Sequence, residues 1–197
     1  MGHLLGFTFL GPPLCGKGTQ ANLLAEKLGF FVISPGDIFR EAIDQNSDLG
    51  KKVRAMVLSG KLVPDKIVID AITPLLEKPS CNKGFILDGF PRTMGQLKFM
   101  EGFGATKNRA ITMVILLEID WEEMVKRSKG RKRMDDRSIE ILEARLNAYK
   151  TQTLPVISYY RKKSLLLEID GVGPIPEVWQ RLYLRIGKKF RNFFNEG

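Results

Sequence analysis

The sequence predicts an α/β fold of three layers, a parallel sheet covered on both faces by helices. Three observations carry this. Short apolar runs alternate with stretches of helical spacing along the 197 residues. Most of those runs are apolar throughout, as strands buried on both faces are. The first run, residues 4–10, leads into Gly11-Pro12-Pro13-Leu14-Cys15-Gly16-Lys17-Gly18-Thr19-Gln20, a glycine-containing turn followed at once by a helical pattern. Strand, loop and helix start in that order make a P-loop, where successive backbone N–H groups and the helix dipole converge on an anion. Lys17 is placed to reach the outer phosphates as a point charge. The general pattern puts Ser or Thr directly after the lysine, to meet Mg²⁺; here Gly18 stands there and the hydroxyl follows at Thr19.

The remaining elements follow in order. Residues 17–28 are expected as the first helix, with Leu23, Leu24 and Leu28 on one face and Gly29 as its stop. Residues 30–33 form a second short strand. Ser34-Pro35-Gly36-Asp37 opens a helix with Ser34 or Asp37 as its cap. Residues 36–60 divide into two short helices near Ser47-Asp48, and a turn over residues 59–65 hands on to a helix from Asp65 to about residue 76. A third strand, residues 84–87, ends at Asp88-Gly89-Phe90-Pro91-Arg92, and a helix follows from residue 93 to about 100. Residues 111–117 are a β-branched fourth strand. Residues 121–127 read as helix, then a basic loop. Residues 139–160 read as one long helix, bent at Pro155. Residues 165–169 are the fifth strand, and Pro176 opens a last helix towards Phe190.

A mass of 22.3 kDa suits one domain with small inserted lobes. With 44% hydrophobic and 27% charged residues, a packed core is expected. No apolar run approaches the roughly 18 residues of a membrane span. The chain enters its first strand almost at once, so no leader peptide is expected. Cys15 and Cys81 make neither a disulfide framework nor a metal spacing, so a reducing, cytoplasmic setting and no zinc are expected. The net charge of +9 is uneven. Lys126, Arg127, Lys129, Arg131, Lys132, Arg133 and Arg137 outweigh Asp135 and Asp136 in one short stretch, and Arg181, Arg185, Lys188, Lys189 and Arg191 mark the last helix. The first cluster suits a polyphosphate clamp; the second reads as a solvated helix face.

In parallel sheets ligands bind beyond the carboxyl ends of the strands. The polar groups that follow strand ends here, from Gly11 to Thr19, Ser34 to Arg40 and Asp88 to Arg92, should therefore meet on one edge. Phosphoryl transfer needs two phosphate-bearing groups held in line within positive charge. Arginines come from five separate places: Arg40, Arg92, Arg127 with Arg131, Arg133 and Arg145. For any one of them surface solubility is the competing reading, weakest for Arg92 in its tight strand-end turn. Asp88 is a candidate to hold Mg²⁺ directly or through water, or else a turn aspartate. His3 is the only histidine, and no Ser-His-Asp or Cys/His set exists.

These residues carry a resemblance. Residues 11–20 resemble the GxPGxGKGTQ loop of nucleoside monophosphate kinases, and Ser34-Pro35-Gly36-Asp37-Ile38-Phe39-Arg40 their STGDxxR segment. Gly60-Lys61-Leu62-Val63-Pro64-Asp65, Gly84 through Thr93, Gln152-Thr153-Leu154-Pro155 and Ile169-Asp170-Gly171 look like further blocks of that family in the expected order. Adenylate kinases are the members it resembles most. The resemblance implies a three-layer P-loop fold with a five-stranded parallel sheet, a small helical AMP-binding lobe at residues 34–63 and a very short lid at about 127–138. It implies transfer of a phosphoryl group from ATP to AMP, with Mg²⁺ accompanying ATP, in a monomer that binds no nucleic acid or membrane.

Carried over by position, Pro13, Leu14, Cys15, Gly16, Lys17, Gly18, Thr19, Arg127 and Gly173 would hold ATP. Pro35, Arg40, Leu62, Val63, Gly89, Arg92, Gln96, Arg133 and Arg145 would hold AMP. Lys17, Arg92, Arg127, Arg131, Arg133 and Arg145 would surround the transferred group, and Asp88 would order Mg²⁺ through water. Thr93 and Gln96 follow the Pro-Arg turn as in adenylate kinases, where UMP/CMP kinases place Asn at both positions. A Gln amide both donates and accepts, matching the adenine edge. Three positions depart from the pattern: Leu14 replaces the second loop glycine, Pro35 replaces a threonine near the AMP base, and a single residue, Lys132, separates Arg131 from Arg133, so that Arg137 competes with Arg133 as the lid arginine. A UMP, CMP or GMP kinase and a P-loop nucleic-acid-binding ATPase are the other readings.

Overall fold

The structure, a computed structural model, describes residues 4–130 and 138–189. Five strands, β1 (Gly6–Leu10), β2 (Phe31–Ile33), β3 (Phe85–Asp88), β4 (Ile111–Glu118) and β5 (Leu166–Asp170), form one sheet in the order β2-β3-β1-β4-β5. Every pairing is parallel. β1 therefore lies at the centre, flanked by strands that follow it by more than seventy residues, as the register Phe7 to Ile86 and Phe7 to Met113 shows.

Alternation along the strands sends successive side chains to opposite faces. Phe7 and Phe9 of β1 pack on one side with Ile115 and Leu117 of β4. Helices α1 (Lys17–Leu28) and α9 (Ile175–Lys189) cover that face through Ala21, Leu24, Leu182 and Ile186. On the opposite face, Leu10, Val114 and Leu116 meet Val156, Ile157 and Tyr160. Ile33, Phe85 and Leu87 are covered by α2 (Pro35–Asp44), α4 (Asp65–Leu76) and α5 (Met94–Lys107), through Phe39, Ile43, Ile72, Leu76 and Met100. These are the expected three layers. Thr8, the one polar side chain of β1, donates its hydroxyl to the carbonyls of Leu87 and Phe90, which ties the sheet centre to the turn after β3. Leu24 is wholly buried between α1 and the sheet. Leu24→Ala should lower the unfolding free energy by about 2–5 kcal/mol, read as a shift in the denaturant midpoint.

Local signals explain most element boundaries. Ser34 is the cap of α2, accepting from the Asp37 N–H, and Asp37 sits in the first turn. Ser47 caps α3 (Asp48–Leu58) in the same way, accepting from Gly50. Gly29 ends α1 in the left-handed conformation.

Two elements differ from the sequence expectation. α5 continues to Lys107, where Asn108 at φ 54 closes it; the glycines at 102 and 104 do not stop it. The long helix over residues 139–160 is interrupted just ahead of Pro155. It divides into α7 (Ile139–Ala148) and α8 (Leu154–Lys162), joined by a π-helical turn at Tyr149–Thr153, with Pro155 inside the first turn of α8. Proline lacks the N–H that would continue the α pattern, and its ring clashes with the preceding turn, so the backbone widens just ahead of it. Between β4 and α7, α6 (Trp121–Lys129) carries the start of the basic segment.

Candidate active site

The carboxyl ends of β1, β2 and β3 open onto a cavity of about 270 Å³. Its floor is the loop after β1. Gly11 at φ 148 lies where a Cβ would come within 2.2 Å of the Leu117 carbonyl, so only glycine allows β4 and the loop to approach. Leu14 also sits at positive φ, 63°, a conformation that costs a leucine backbone strain. Its side chain is buried against Met124 and Leu142, which explains how the loop keeps a residue with a Cβ there. Pro13, Leu14, Gly16, Lys17, Gly18 and Thr19 all line the cavity.

Lys17 folds back over this loop. Its ammonium donates to the carbonyls of Gly11 (3.0 Å) and Pro12 (2.8 Å), beside the Cys15 sulfur at 3.4 Å. Burial pushes the lysine pKa down; Cys15 opposes this, Arg92 adds to it, Asp88 opposes it and Arg145 adds to it. Lys17, Arg92, Arg145 and Asp88 thus lie within electrostatic reach of one another, although they come from three distant segments.

The second wall comes from β2 to α4 and from the turn after β3. Ser34, Pro35, Arg40, Leu62 and Val63 line it. Arg40 bonds to Asp37 at 2.6 Å. Gly89 and Arg92 line the turn after β3, whose Phe90–Pro91 peptide is cis. The Arg92 Nε donates to the Gly89 carbonyl at 2.6 Å, and the Thr153 hydroxyl donates to the Arg92 carbonyl at 3.1 Å. Burial pushes the Arg92 pKa down, Arg145 lowers it further, and Asp88 raises it. The π-helical turn places Tyr149 and Thr153 beside Arg145 in the cavity wall.

Gln96 is buried and reaches the cavity from α5. Its Oε1 accepts from the Arg92 N–H at 2.8 Å, and its Nε2 donates to Asp65 at 2.9 Å. Lys17, Arg40, Lys61, Arg92 and Arg145 face Asp37 and Asp88 across the lining. A cavity with that excess of cations suits polyphosphate.

Asp88 ends β3 half-buried and accepts from the Ser34 hydroxyl at 3.3 Å. With Thr19 it gives a few hard oxygen donors next to the loop, which suits Mg²⁺ carried on phosphate and water rather than a protein cage. Among the described residues no group of three or more His, Cys, Asp or Glu could enclose a metal ion.

Three expected site residues do not line the cavity. Cys15 is buried behind the loop. Arg127 braces the loop: it donates to the carbonyls of Leu14 (3.2 Å) and Gly171 (2.8 Å) and pairs with Glu123 at 2.8 Å. Gly173 lies in the β5–α9 connection near Glu177 and Arg181. Arg131, Arg133 and Arg137 lie outside the described residues. Asn22, Lys61, Tyr149 and Thr153 line the cavity without having been singled out for it. The sequence marks Asp65 as a helix start and as the end of a family-like block, but its partners Thr93 and Gln96 are 28 and 31 residues away, beyond any local pattern.

The comparisons with known proteins agree with this arrangement. The family profile described as adenylate kinase matches residues 9–165. An adenylate kinase of Thermobifida fusca is 42% identical over 175 residues, covering 87% of this chain and 93% of its own. Similar proteins of the same name are found in Archaeoglobus fulgidus, at 37% identity over 90% of this chain and 96% of its own, and in Azobacteroides pseudotrichonymphae, at 38% over 95% and 100%. The parallel sheet, the cation-lined cavity at its carboxyl edge and these matches lead to one conclusion: the chain belongs to the adenylate kinase family.

Proposed function

We propose that the protein transfers the terminal phosphoryl group of ATP to AMP, reversibly, giving two ADP. The convergence of Lys17, Arg40, Arg92 and Arg145 on one cavity at the sheet edge carries this reading. An AMP phosphate oxygen attacks the terminal phosphorus of ATP, and the bond to the bridging oxygen of ADP breaks. The attacking oxygen is already ionised, so no general base is required. The work is positioning and charge neutralisation.

In this reading residues 11–19 cradle the ATP phosphates, and Lys17 turns from its own loop carbonyls to the transferred group. Arg127 holds the loop and the Gly171–Gly173 connection in place beside ATP. Arg40 and Arg92 clamp the AMP phosphate, and Arg145 spans both nucleotides. Pro35, Leu62, Val63, Gly89 and Gln96 receive the adenine of AMP. Residues 34–63 are the AMP-binding lobe, and the segment at about 127–138 is the short lid, which would supply Arg131 and Arg133 to the phosphates. Asp88 would hold Mg²⁺ through water, and the ion would supply charge neutralisation on the ATP phosphates. The two cysteines are unbonded, which suits a cytoplasmic protein, and Lys17, Arg40, Arg92 and Arg145 meet in a cavity lined by this chain, which suits a monomer.

Pro35 in the lining favours a second reading, a pyrimidine monophosphate as acceptor, because it brings no hydroxyl or N–H to the base. Acceptor assays with AMP, UMP, CMP and GMP at fixed ATP distinguish the two. AMP is expected to give the largest kcat/KM; a clear preference for a pyrimidine nucleotide would overturn the assignment.

A further inference from the structure

Gln96 is the base-reading side chain of the proposed site, and an amide reads a base only if its two ends are told apart. A donor and an acceptor stand side by side on adenine, the amino group and a ring nitrogen. Hypoxanthine and guanine carry a carbonyl oxygen where adenine has the amino group. An amide turned over by 180° would therefore favour the wrong purine. Something must fix which end is nitrogen.

Two groups do so. The Arg92 backbone N–H can only donate, and it meets Oε1 at 2.8 Å. The Asp65 carboxylate accepts, and it takes Nε2 at 2.9 Å. The turned amide would set carbonyl against carboxylate and NH₂ against N–H. Asp65 is itself held: the Thr93 hydroxyl donates to it at 2.8 Å, and the same hydroxyl accepts from the Gln96 N–H at 3.1 Å as the cap of α5. Space for this arrangement comes from Gly95, where a Cβ would lie 2.3 Å from the Asp65 Oδ2. After these bonds Gln96 retains one N–H and one lone pair, the pair that adenine needs.

We propose that Asp65 is a positioning residue that locks the orientation of the Gln96 amide and so sets adenine over oxo-purine selection, an inference that rests on the reading of Gln96 as the contact to the acceptor base. It does not touch the nucleotide. It acts through Gln96, with Gly95 giving it access and Thr93 fixing its carboxylate.

The test compares AMP with IMP as acceptor, at saturating ATP, in the wild-type protein and in D65N, G95A and Q96L, with thermal melting alongside. The side chain introduced by D65N can donate as well as accept, so at that end either Gln96 orientation finds a partner and only the Arg92 N–H still opposes the turned amide. The ratio of kcat/KM for AMP to that for IMP is expected to fall about tenfold in D65N, mainly through KM for AMP, while KM for ATP holds. G95A should move the ratio the same way by displacing the carboxylate, even though alanine suits a helix better than glycine. Loss of melting temperature with equal loss on both nucleotides, or an unchanged ratio in both variants, would overturn the inference while leaving the kinase reading intact. A Q96L protein that keeps the wild-type ratio would remove the base-reading role itself and the inference with it.

Discussion

Lys17→Met is expected to lower kcat about 100- to 1000-fold, the range seen when one preorganised group facing the transition-state charge is removed. The protein should still fold. Among the described residues Lys17 bonds to loop groups alone, the carbonyls of Gly11 and Pro12 and the Cys15 sulfur. Removing them costs stability, but the same change removes a cation that burial disfavours, so the melting temperature should stay close to that of wild type. The sign of the pH effect follows. Burial lowers the Lys17 pKa in the folded state, so the unfolded chain holds that proton more tightly. The penalty is constant at pH below the folded value. It is relieved as pH climbs towards the ordinary lysine value of 10.5, so this contribution to stability rises with pH there. Melting curves taken up to alkaline pH should show that rise in the wild-type protein and not in K17M. A K17M protein with near wild-type turnover would contradict the role.

Arg92→Ala is expected to lower kcat/KM for AMP about 100- to 1000-fold, because a bidentate, charge-assisted pair of bonds to phosphate is lost in a desolvated site. Arg92→Lys keeps the charge but not the fork, and should recover only a small part. The loss should fall on AMP: with ATP varied at saturating AMP, KM for ATP should move little. Steady-state kinetics in both substrates check this. The structure explains why the site tolerates so costly a group. Burial, Arg145 and Arg40 disfavour the Arg92 charge, while Asp88 partly offsets them. An incoming phosphate completes that offset, so cationic crowding held ready in the free protein becomes affinity when the anion arrives.

The parts of this arrangement that were legible in the sequence are local ones. The strand, glycine turn and helix of residues 6–28 announce themselves within one stretch, and the cap candidate Ser34 and the break near Ser47-Asp48 mark α2 and α3. Strand ends give Arg40, Asp88 and Arg92 a common edge from sequence alone, because parallel strands all finish on the same side. Long-range pairings were not legible. Nothing near Asp65 in the chain shows that it meets Gln96. Nothing near Leu14 shows that Met124 and Leu142 will cover it and hold its left-handed backbone. Arg127 sits four residues before Arg131, which suggested a shared phosphate face; Glu123, four residues before it, and two loop carbonyls take its guanidinium instead. Pro155 signalled an irregular helix, but not that the irregularity would be a π-helical turn one step earlier, carrying Tyr149 and Thr153 to the cavity.

The central claim is that two nucleotides lie end to end along this cavity with the phosphoryl group passing directly between them. ATP labelled in its terminal phosphate, incubated with the protein and AMP, measures that transfer most directly. The account predicts that the label appears in ADP, that its appearance requires AMP, and that labelled inorganic phosphate stays at background. Labelled phosphate released at the same rate with or without AMP would contradict it.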